Sequence, residues 1–275
     1  MMIPITKTMI EKTHLRTTFD QDASLYEKAR PGYPNALFED IIEFSKIPDD
    51  GRILEIGCGT AQATLPFALR GYSIHCIELG ANLAEVAKQK LSNYPKAQVS
   101  VGNFEDYPLV ENSFDLAISG TAFHWINPDI GYRKVAKVLR PAGTLALFWN
   151  KPVQTKVSAE MVQSIQTVYE RVVPEMAKSF HGLAHPDDIP TPVKVEIDRS
   201  LMFGDVTVFK YRWEAEYSAK AYVELLSTYS DHIALEKGIR TKLLDGIENL
   251  IETRFSGSIV KEHLSILYLA RRNEG

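Results

Sequence analysis

Apolar and polar positions along this 275-residue chain switch repeatedly between two periods. Short apolar runs at 52–56 (Arg-Ile-Leu-Glu-Ile), Ser73–Glu78, Val99–Val101, Phe114–Ser119 and Thr144–Trp149 read as strands. Between them the apolar residues recur at helical spacing: Leu37, Phe38, Ile41, Ile42 and Phe44 behind Pro34, and Leu83, Val86, Ala87 and Leu91 within 82–91. Further helices are predicted around Pro66, ending near Arg70-Gly71, and over Pro128–Leu139. Pro34 suits a first helical turn, where its missing N–H is not needed. Arg140-Pro141-Ala142-Gly143 is a turn into the fifth strand. Five strands separated by helices predict a doubly wound α/β fold with right-handed crossovers.

The alternation changes after Asn150. A helix is expected near 156–172, and the Pro- and Asp-rich stretch 185–192 is expected to be a loop within an insertion. Strand patterns return at 204–216 and 258–271, separated by helical stretches near 219–230 and 236–253. They are expected to add a terminal antiparallel pair, giving a mostly parallel seven-stranded sheet. The division that follows is one domain, 1–275, with residues 1–33 as an N-terminal lid, 34–150 as a cofactor-binding core, 151–200 as a cap insertion, and 201–275 completing the sheet.

Composition narrows the function classes. The balance of 45% hydrophobic and 24% charged residues is that of an ordinary globular protein. A net charge of −4 with cations scattered among acids offers no broad basic face, so no nucleic acid is expected. Lys7, Glu11, Lys12, His14 and Arg16 interrupt any signal-peptide core in Met1–Thr18, and no apolar stretch approaches membrane-spanning length. The expectation is a cytoplasmic protein with no membrane partner. Cys58 and Cys76 read as small buried hydrophobes. His181, His185, Asp187 and Asp188 have metal-ligand spacing only on a helix, and Gly182 and Pro186 argue for a loop, so no metal is expected.

The chemistry concentrates where the first strand ends. Gly57 and Gly59 in Leu54-Glu55-Ile56-Gly57-Cys58-Gly59-Thr60 let the backbone turn sharply and approach a ligand closely. Glu78 closes the second strand, nineteen residues after Gly59, placing a carboxylate beside that loop where it can accept ribose hydroxyls. A glycine loop followed by an acid at this distance also occurs in nicotinamide enzymes. Their fingerprint, however, needs a third glycine where this chain has Gln62.

The segment 54–60 resembles the first motif of class I S-adenosylmethionine-dependent methyltransferases. Glu78, Gly102-Asn103-Phe104-Glu105-Asp106, Phe114–Ser119 and Leu139-Arg140-Pro141-Ala142-Gly143-Thr144 follow in the order of that family. The resemblance implies that the backbone of Gly57, Cys58, Gly59 and Thr60 lies against the methionine part of the cofactor, with Glu55 helping to place it. It implies that Glu78 holds the ribose, Leu79 and Phe104 sandwich the adenine, Asn103 and the Phe104 amide read its polar edge, and Ser119 and Gly120 border the methyl-transfer site. Two positions depart from the family: Ala61 stands where glycine is usual, and Asn103 where aspartate is. Alanine is expected to be tolerated if the backbone at 61 is helical.

A narrower resemblance, to the trans-aconitate methyltransferase-like small-molecule group, rests on Phe19–Tyr26, Arg30-Pro31-Gly32-Tyr33-Pro34 and Ala122-Phe123-His124-Trp125. It implies that the N-terminal segment folds over the cofactor. Tyr26, Arg30, Tyr33 and Trp125 then become candidate acceptor-binding residues, Arg30 through its bidentate fork, and His124 a candidate general base. The expected reaction is in-line attack by an oxygen, nitrogen or carbon of a small-molecule acceptor, a carboxylate or hydroxyl among the candidates, on the sulfonium methyl, leaving S-adenosylhomocysteine. Tyr211–Glu214 is expected to be a half-exposed strand, and Tyr217, Tyr222 and Tyr229 to pack helix against sheet. Two rival readings remain: a cofactor-binding regulatory protein without turnover, and a nicotinamide-dependent oxidoreductase.

Overall fold

A computed structural model describes residues 20, 22–178, 180 and 182–273. Most of the expected lid, including Phe19, lies outside the described residues, as does His181. The parallel strands are β1 (Arg52–Ile56), β2 (Ser73–Glu78), β3 (Ala97–Val101), β4 (Phe114–Gly120) and β5 (Leu139–Pro152). Helices α1 (Ala23–Ala29) and α2 (Asn35–Ser45) precede them, and α3 (Thr64–Ala68), α4 (Ala81–Lys90) and α5 (Pro128–Val138) connect them. Then come α6 (Ala159–Val172), α7 (Pro174–Lys178), α8 (Pro192–Ser200), β6 (Thr207–Ser218), α9 (Ala219–Ser227), α10 (Ser230–Ile233), α11 (Lys237–Arg254) and β7 (Ser258–Arg271).

The sheet has seven strands in the order β3-β2-β1-β4-β5-β7-β6, with β7 antiparallel to both neighbours. This is the doubly wound α/β sheet that the alternation of periods predicts. Because β1 lies between β2 and β4, the loops after these three parallel strands meet at one edge. The apolar run of β1 has both faces covered, as a buried parallel strand requires.

One side of the sheet packs against α2, through the fully buried Leu37, Phe38 and Ile41, and against Phe67 of α3. Each such side chain contributes about 1.5–3 kcal/mol by leaving water. The other side buries Tyr132 and Val135 of α5 and Ile197 of α8. A third apolar cluster unites Ile165 and Val168 of α6 with Tyr222, Leu225 and Leu226 of α9 and Leu243, Ile247 and Ile251 of α11. That cluster, the cap, joins α6 of the expected 151–200 insertion to α9 and α11 from 201–275, whereas α8 of the insertion packs on the sheet.

The stretch 185–192, expected to be a loop, ends where α8 begins, with Pro192 in that helix's first turn. Two local expectations are corrected. The stretch 219–230 is two helices, interrupted at Thr228 and Tyr229. Ala61 is not helical: its φ is +66°, in the left-handed region, and its side chain is fully buried. The turn at 140–143 bulges between the register pairs Phe114–Leu139 and Leu116–Thr144, within the span of β5.

The strain at Ala61 is about 1–2 kcal/mol. Substituting glycine relieves it but forfeits about 0.8 kcal/mol of methyl burial and about 0.4–1 kcal/mol of unfolded-chain entropy. Ala61→Gly is therefore expected to change unfolding free energy by less than about 1 kcal/mol. Gly57 differs, although its φ is also positive (+69°), because a Cβ there meets Ala122 Cβ at 2.5 Å. Strain and overpacking add, so Gly57→Ala is expected to cost about 2–5 kcal/mol. Urea denaturation of both variants checks the contrast.

Candidate functional site

The site grows from the ends of β1 and β2. Gly57 N–H donates to Ile77 O (2.8 Å), fastening the first loop to the second strand. The Glu78 carboxylate then spans two backbone amides, accepting from Gly59 N at Oε2 (2.8 Å) and from Gly80 N at Oε1 (2.9 Å). It is 7% exposed, and burial raises its pKa against the lowering effect of the Gly80, Gly59 and Leu79 amides. Gly59 is also left-handed (φ +55°), and Tyr26 stands 3.6 Å from the position of a Cβ there. Side chains of α1 thus lie directly over the glycine loop.

The segment leading into α1 is tied down by ordinary polar contacts. Asp20 Oδ1 accepts from Leu83 N (2.9 Å), and Asp22 caps α1 by accepting from Leu25 N (2.9 Å). Glu27 bridges Lys90 of α4 (2.7 Å) and Gln62 of the glycine loop (3.2 Å). Lys28 reaches Glu224 of α9 (2.7 Å). The Arg30 guanidinium lies 5.0 Å from the Tyr26 ring centroid and 4.7 Å from that of Tyr229, and donates to Thr228 O (2.8 Å). The interruption between α9 and α10 supplies both partners.

These elements enclose a cavity of about 80 Å³. Its floor is Glu55, Gly57, Cys58 and Gly59, and Tyr26, Arg30 and Tyr33 form one wall. Gly120, Thr121, Asn150, Pro152, Tyr229 and His263 close the far side. Thr121, β-branched with φ +55°, holds its hydroxyl 2.8 Å from that of Tyr33. Such strain is maintained only where the surroundings fix it, and it concentrates at functional sites. Burial pushes the Tyr33 pKa up, so its hydroxyl stays protonated.

Burial also pushes the Glu55 carboxyl up to about 7, even though the hydroxyl of Thr64 and the thiol of Cys76 hydrogen-bond to it. His263 shows the opposite effect of the same cause. Burial, with the nearby Lys261 charge, pulls its pKa down to about 3. Its ring is 3% exposed and stacks on Trp213 at 4.4 Å, and neither ring nitrogen has a hydrogen-bond partner among the described residues. It is a neutral imidazole at the wall of the cavity.

The residues singled out from the sequence fall into three groups. Glu55, Gly57, Cys58, Gly59, Tyr26, Arg30 and Tyr33 are brought together around the cavity, and Glu78 braces it from behind. Thr60 and Ser119 are fully buried, and Ser119 Oγ donates to Ile56 O (2.7 Å), so Gly120 and Thr121 rather than the Ser119 side chain border the cavity. Leu79, Asn103 and Phe104 lie in the loops after β2 and β3. The Phe104 ring is 4% exposed within the core, with Lys134 Nζ 5.2 Å from its centroid, and Asn103 bonds Asp106 (2.7 Å) and Glu105 N (3.3 Å).

His124 and Trp125 are outside the cavity wall. His124 is exposed, accepts from Trp149 Nε1 (3.1 Å) and lies 4.8 Å from the Trp125 ring. His185 pairs with Asp187 (3.4 Å), which also bonds Arg212. Among the described residues no cluster of three or more His, Cys, Asp or Glu side chains is arranged to hold a metal. Sequence reasoning missed His263, Lys261 and Asn150. A signal existed: Lys261, His263 and Ser265 are polar residues at alternate positions of an otherwise apolar strand, and all three are buried.

Comparison with known proteins gives a consistent picture. A family profile described as "Methyltransferase domain" matches residues 54–147. An uncharacterized methyltransferase of Mycobacterium tuberculosis is 26% identical over 236 residues, 86% of each chain. Another, from Bacillus mycoides, is 30% identical over 185 residues, 63% of this chain and 80% of that one. Among solved structures, phosphoethanolamine N-methyltransferase 2 of Haemonchus contortus, in complex with phosphomonomethylethanolamine and S-adenosylhomocysteine, shares the fold. Its TM-score is 0.55 at 15% identity, over 99% of this chain and 62% of that one.

The two shifted pKa values predict opposite slopes of stability against pH. Glu55 has a folded pKa above its unfolded value of 4.5, so its contribution is present below pH 4.5 and lost as pH rises to 7. Relative to Glu55→Gln, the wild type is expected to lose on the order of 3 kcal/mol across that window. His263 has a folded pKa below its unfolded 6.5, so its contribution is present above pH 6.5 and lost as pH falls toward 3. Denaturation curves of wild type, Glu55→Gln and His263→Gln at several pH values should therefore diverge in opposite directions.

Proposed function

Since the chain belongs to the S-adenosylmethionine-dependent methyltransferases, we propose that it methylates a small-molecule acceptor, at a carboxylate or hydroxyl oxygen, in the cavity beside the glycine loop. The observation that carries this reading is the Glu78 carboxylate spanning the Gly59 and Gly80 amides, behind the glycine loop that lines the cavity. It leaves acceptor lone pairs for ribose hydroxyls next to a backbone that only residues without an obstructing Cβ can form.

The residues present fit the cofactor. Glu55 and the backbone of Gly57, Cys58, Gly59 and Thr60 would hold its methionine portion, and Glu78 its ribose. Leu79, Asn103 and the Phe104 amide would face the adenine. Gly120 and Thr121, in place of the Ser119 side chain, would border the reacting end. S-Adenosylmethionine, when bound, supplies a methyl group already activated on a sulfonium.

The chain's own task is then positioning and exclusion of water. Tyr26, Arg30 and Tyr33 roof the cavity, and the Tyr33–Thr121 hydroxyl pair fixes the height of that roof. A hydroxyl acceptor must lose a proton; His263, a neutral imidazole in the wall with both ring nitrogens unpartnered among the described residues, is placed to orient it by a hydrogen bond, while burial and the Lys261 charge disfavour the imidazolium and so make it a poor base. His124, exposed and bonded to Trp149, is less well sited for that role. A carboxylate acceptor needs no base at all.

Glu78→Ala is expected to weaken S-adenosylhomocysteine binding by about 1–3 kcal/mol, roughly 5- to 150-fold, in isothermal titration calorimetry. Incubation of wild type with labelled methyl donor and fractionated cell metabolites should transfer label to a small molecule. Tight cofactor binding with no label transferred to any fraction would support a regulatory protein without turnover instead.

A further inference from the structure

A second cavity, of about 100 Å³ and so slightly larger than the first, lies in the cap. Met161, Ile165, Met176, Phe180 and Leu226 give it a mainly apolar wall. Pro152 and Tyr229 belong to both cavities, so the cap cavity adjoins the cofactor-side one.

Into this apolar surface β7 carries Lys261, which is 6% exposed. Its ammonium lies 5.2 Å from the Tyr222 ring centroid, 5.6 Å from that of Tyr229, and 3.4 Å from the Tyr229 hydroxyl. Among the described residues no carboxylate pairs with it, and the adjacent Glu262 is engaged by Ser158 and Thr155 N. Neutral rings attract a cation without neutralising it, and one hydroxyl satisfies one of three N–H donors. Taking an ammonium out of water is costly unless an anion and further hydrogen bonds compensate.

Resting on the methyl-transfer reading above, we propose that the cap cavity seats the acceptor and that the acceptor is an amphipathic anion. Its anionic oxygens bind Lys261 Nζ, and its apolar body lies against Met161, Ile165 and Phe180. Lys261 and His263 occupy alternate positions on one face of β7, about 7 Å apart along the strand. The first lines the cap cavity and the second the cofactor-side cavity, so the anchored anionic end stands on the side of the cap that adjoins the glycine loop's cavity. Carboxylate and phosphate share the required chemistry.

The test uses protein loaded with S-adenosylhomocysteine, so that no turnover intervenes, titrated calorimetrically with decanoate, decyl phosphate and the uncharged decanamide. At least one of the anions is expected to bind about tenfold more tightly than the amide, and the stronger of the two identifies the anionic group. Lys261→Met should erase that preference while leaving S-adenosylhomocysteine affinity unchanged, and Lys261→Gln serves if the methionine variant does not fold. Equal binding of all three probes, binding of none, or a preference that survives both substitutions would overturn the proposal and leave Lys261 as a cation–π brace. Failure of the wild type to bind S-adenosylhomocysteine would instead sink the methyl-transfer reading, and titration of the unloaded protein with the same probes would then decide the anchor separately.

Discussion

The bond between the Glu78 carboxylate and the Gly59 amide is the contact on which the site depends. It joins the loops that follow β1 and β2, and its second oxygen binds Gly80 at the start of α4. A carboxylate that is 7% exposed would ordinarily be a liability. Here two amide donors and a helix N-terminus compensate for the lost water, so the charge that organises the backbone is also available to a ligand. The strand order brings these two loops side by side, and the left-handed turns at Gly57 and Gly59 keep their surface clear.

Around that clamp the structure separates two kinds of burial. Glu55 and His263 are both removed from water at the cavity wall and are driven toward their neutral forms, one by keeping its proton and the other by losing it. Lys261 is handled differently: it rests between two aromatic faces. Apart from the Arg30 guanidinium, the cavity wall thus presents groups driven toward neutrality, while the buried Lys261 stands at the cap. Arg30, between Tyr26 and Tyr229, links the N-terminal covering to the interruption between α9 and α10.

Much of this was legible in the sequence because the cofactor side is built from consecutive local signals. A buried strand, two glycines and an acid at a fixed distance specify their own geometry, and Glu55, Gly57, Gly59 and Glu78 stand where that reasoning put them. Tyr26, Arg30 and Tyr33, singled out through the family resemblance of α1 and the segment after it, line the same cavity. Ala61 was misjudged because a positive φ leaves no trace in a residue type able to tolerate it when buried. Ser119 was misjudged because strand alternation decides which face a hydroxyl takes, and here it faces Ile56. His263 and Lys261 escaped because their partners come from 152, 213, 222 and 229, and only the antiparallel pairing of β7 assembles them.

That assembly divides responsibility within the sheet. The glycine turns and their carboxylate clamp come from the loops after β1 and β2, whereas Lys261, His263 and Ser265 are spaced every second residue along one reversed strand. Exchanges at positions 261, 263 and 265 leave the glycine turns and their carboxylate clamp untouched. A scaffold arranged in this way keeps its turn geometry and its buried strand chemistry on separate ribbons, so that point changes in one need not disturb the other.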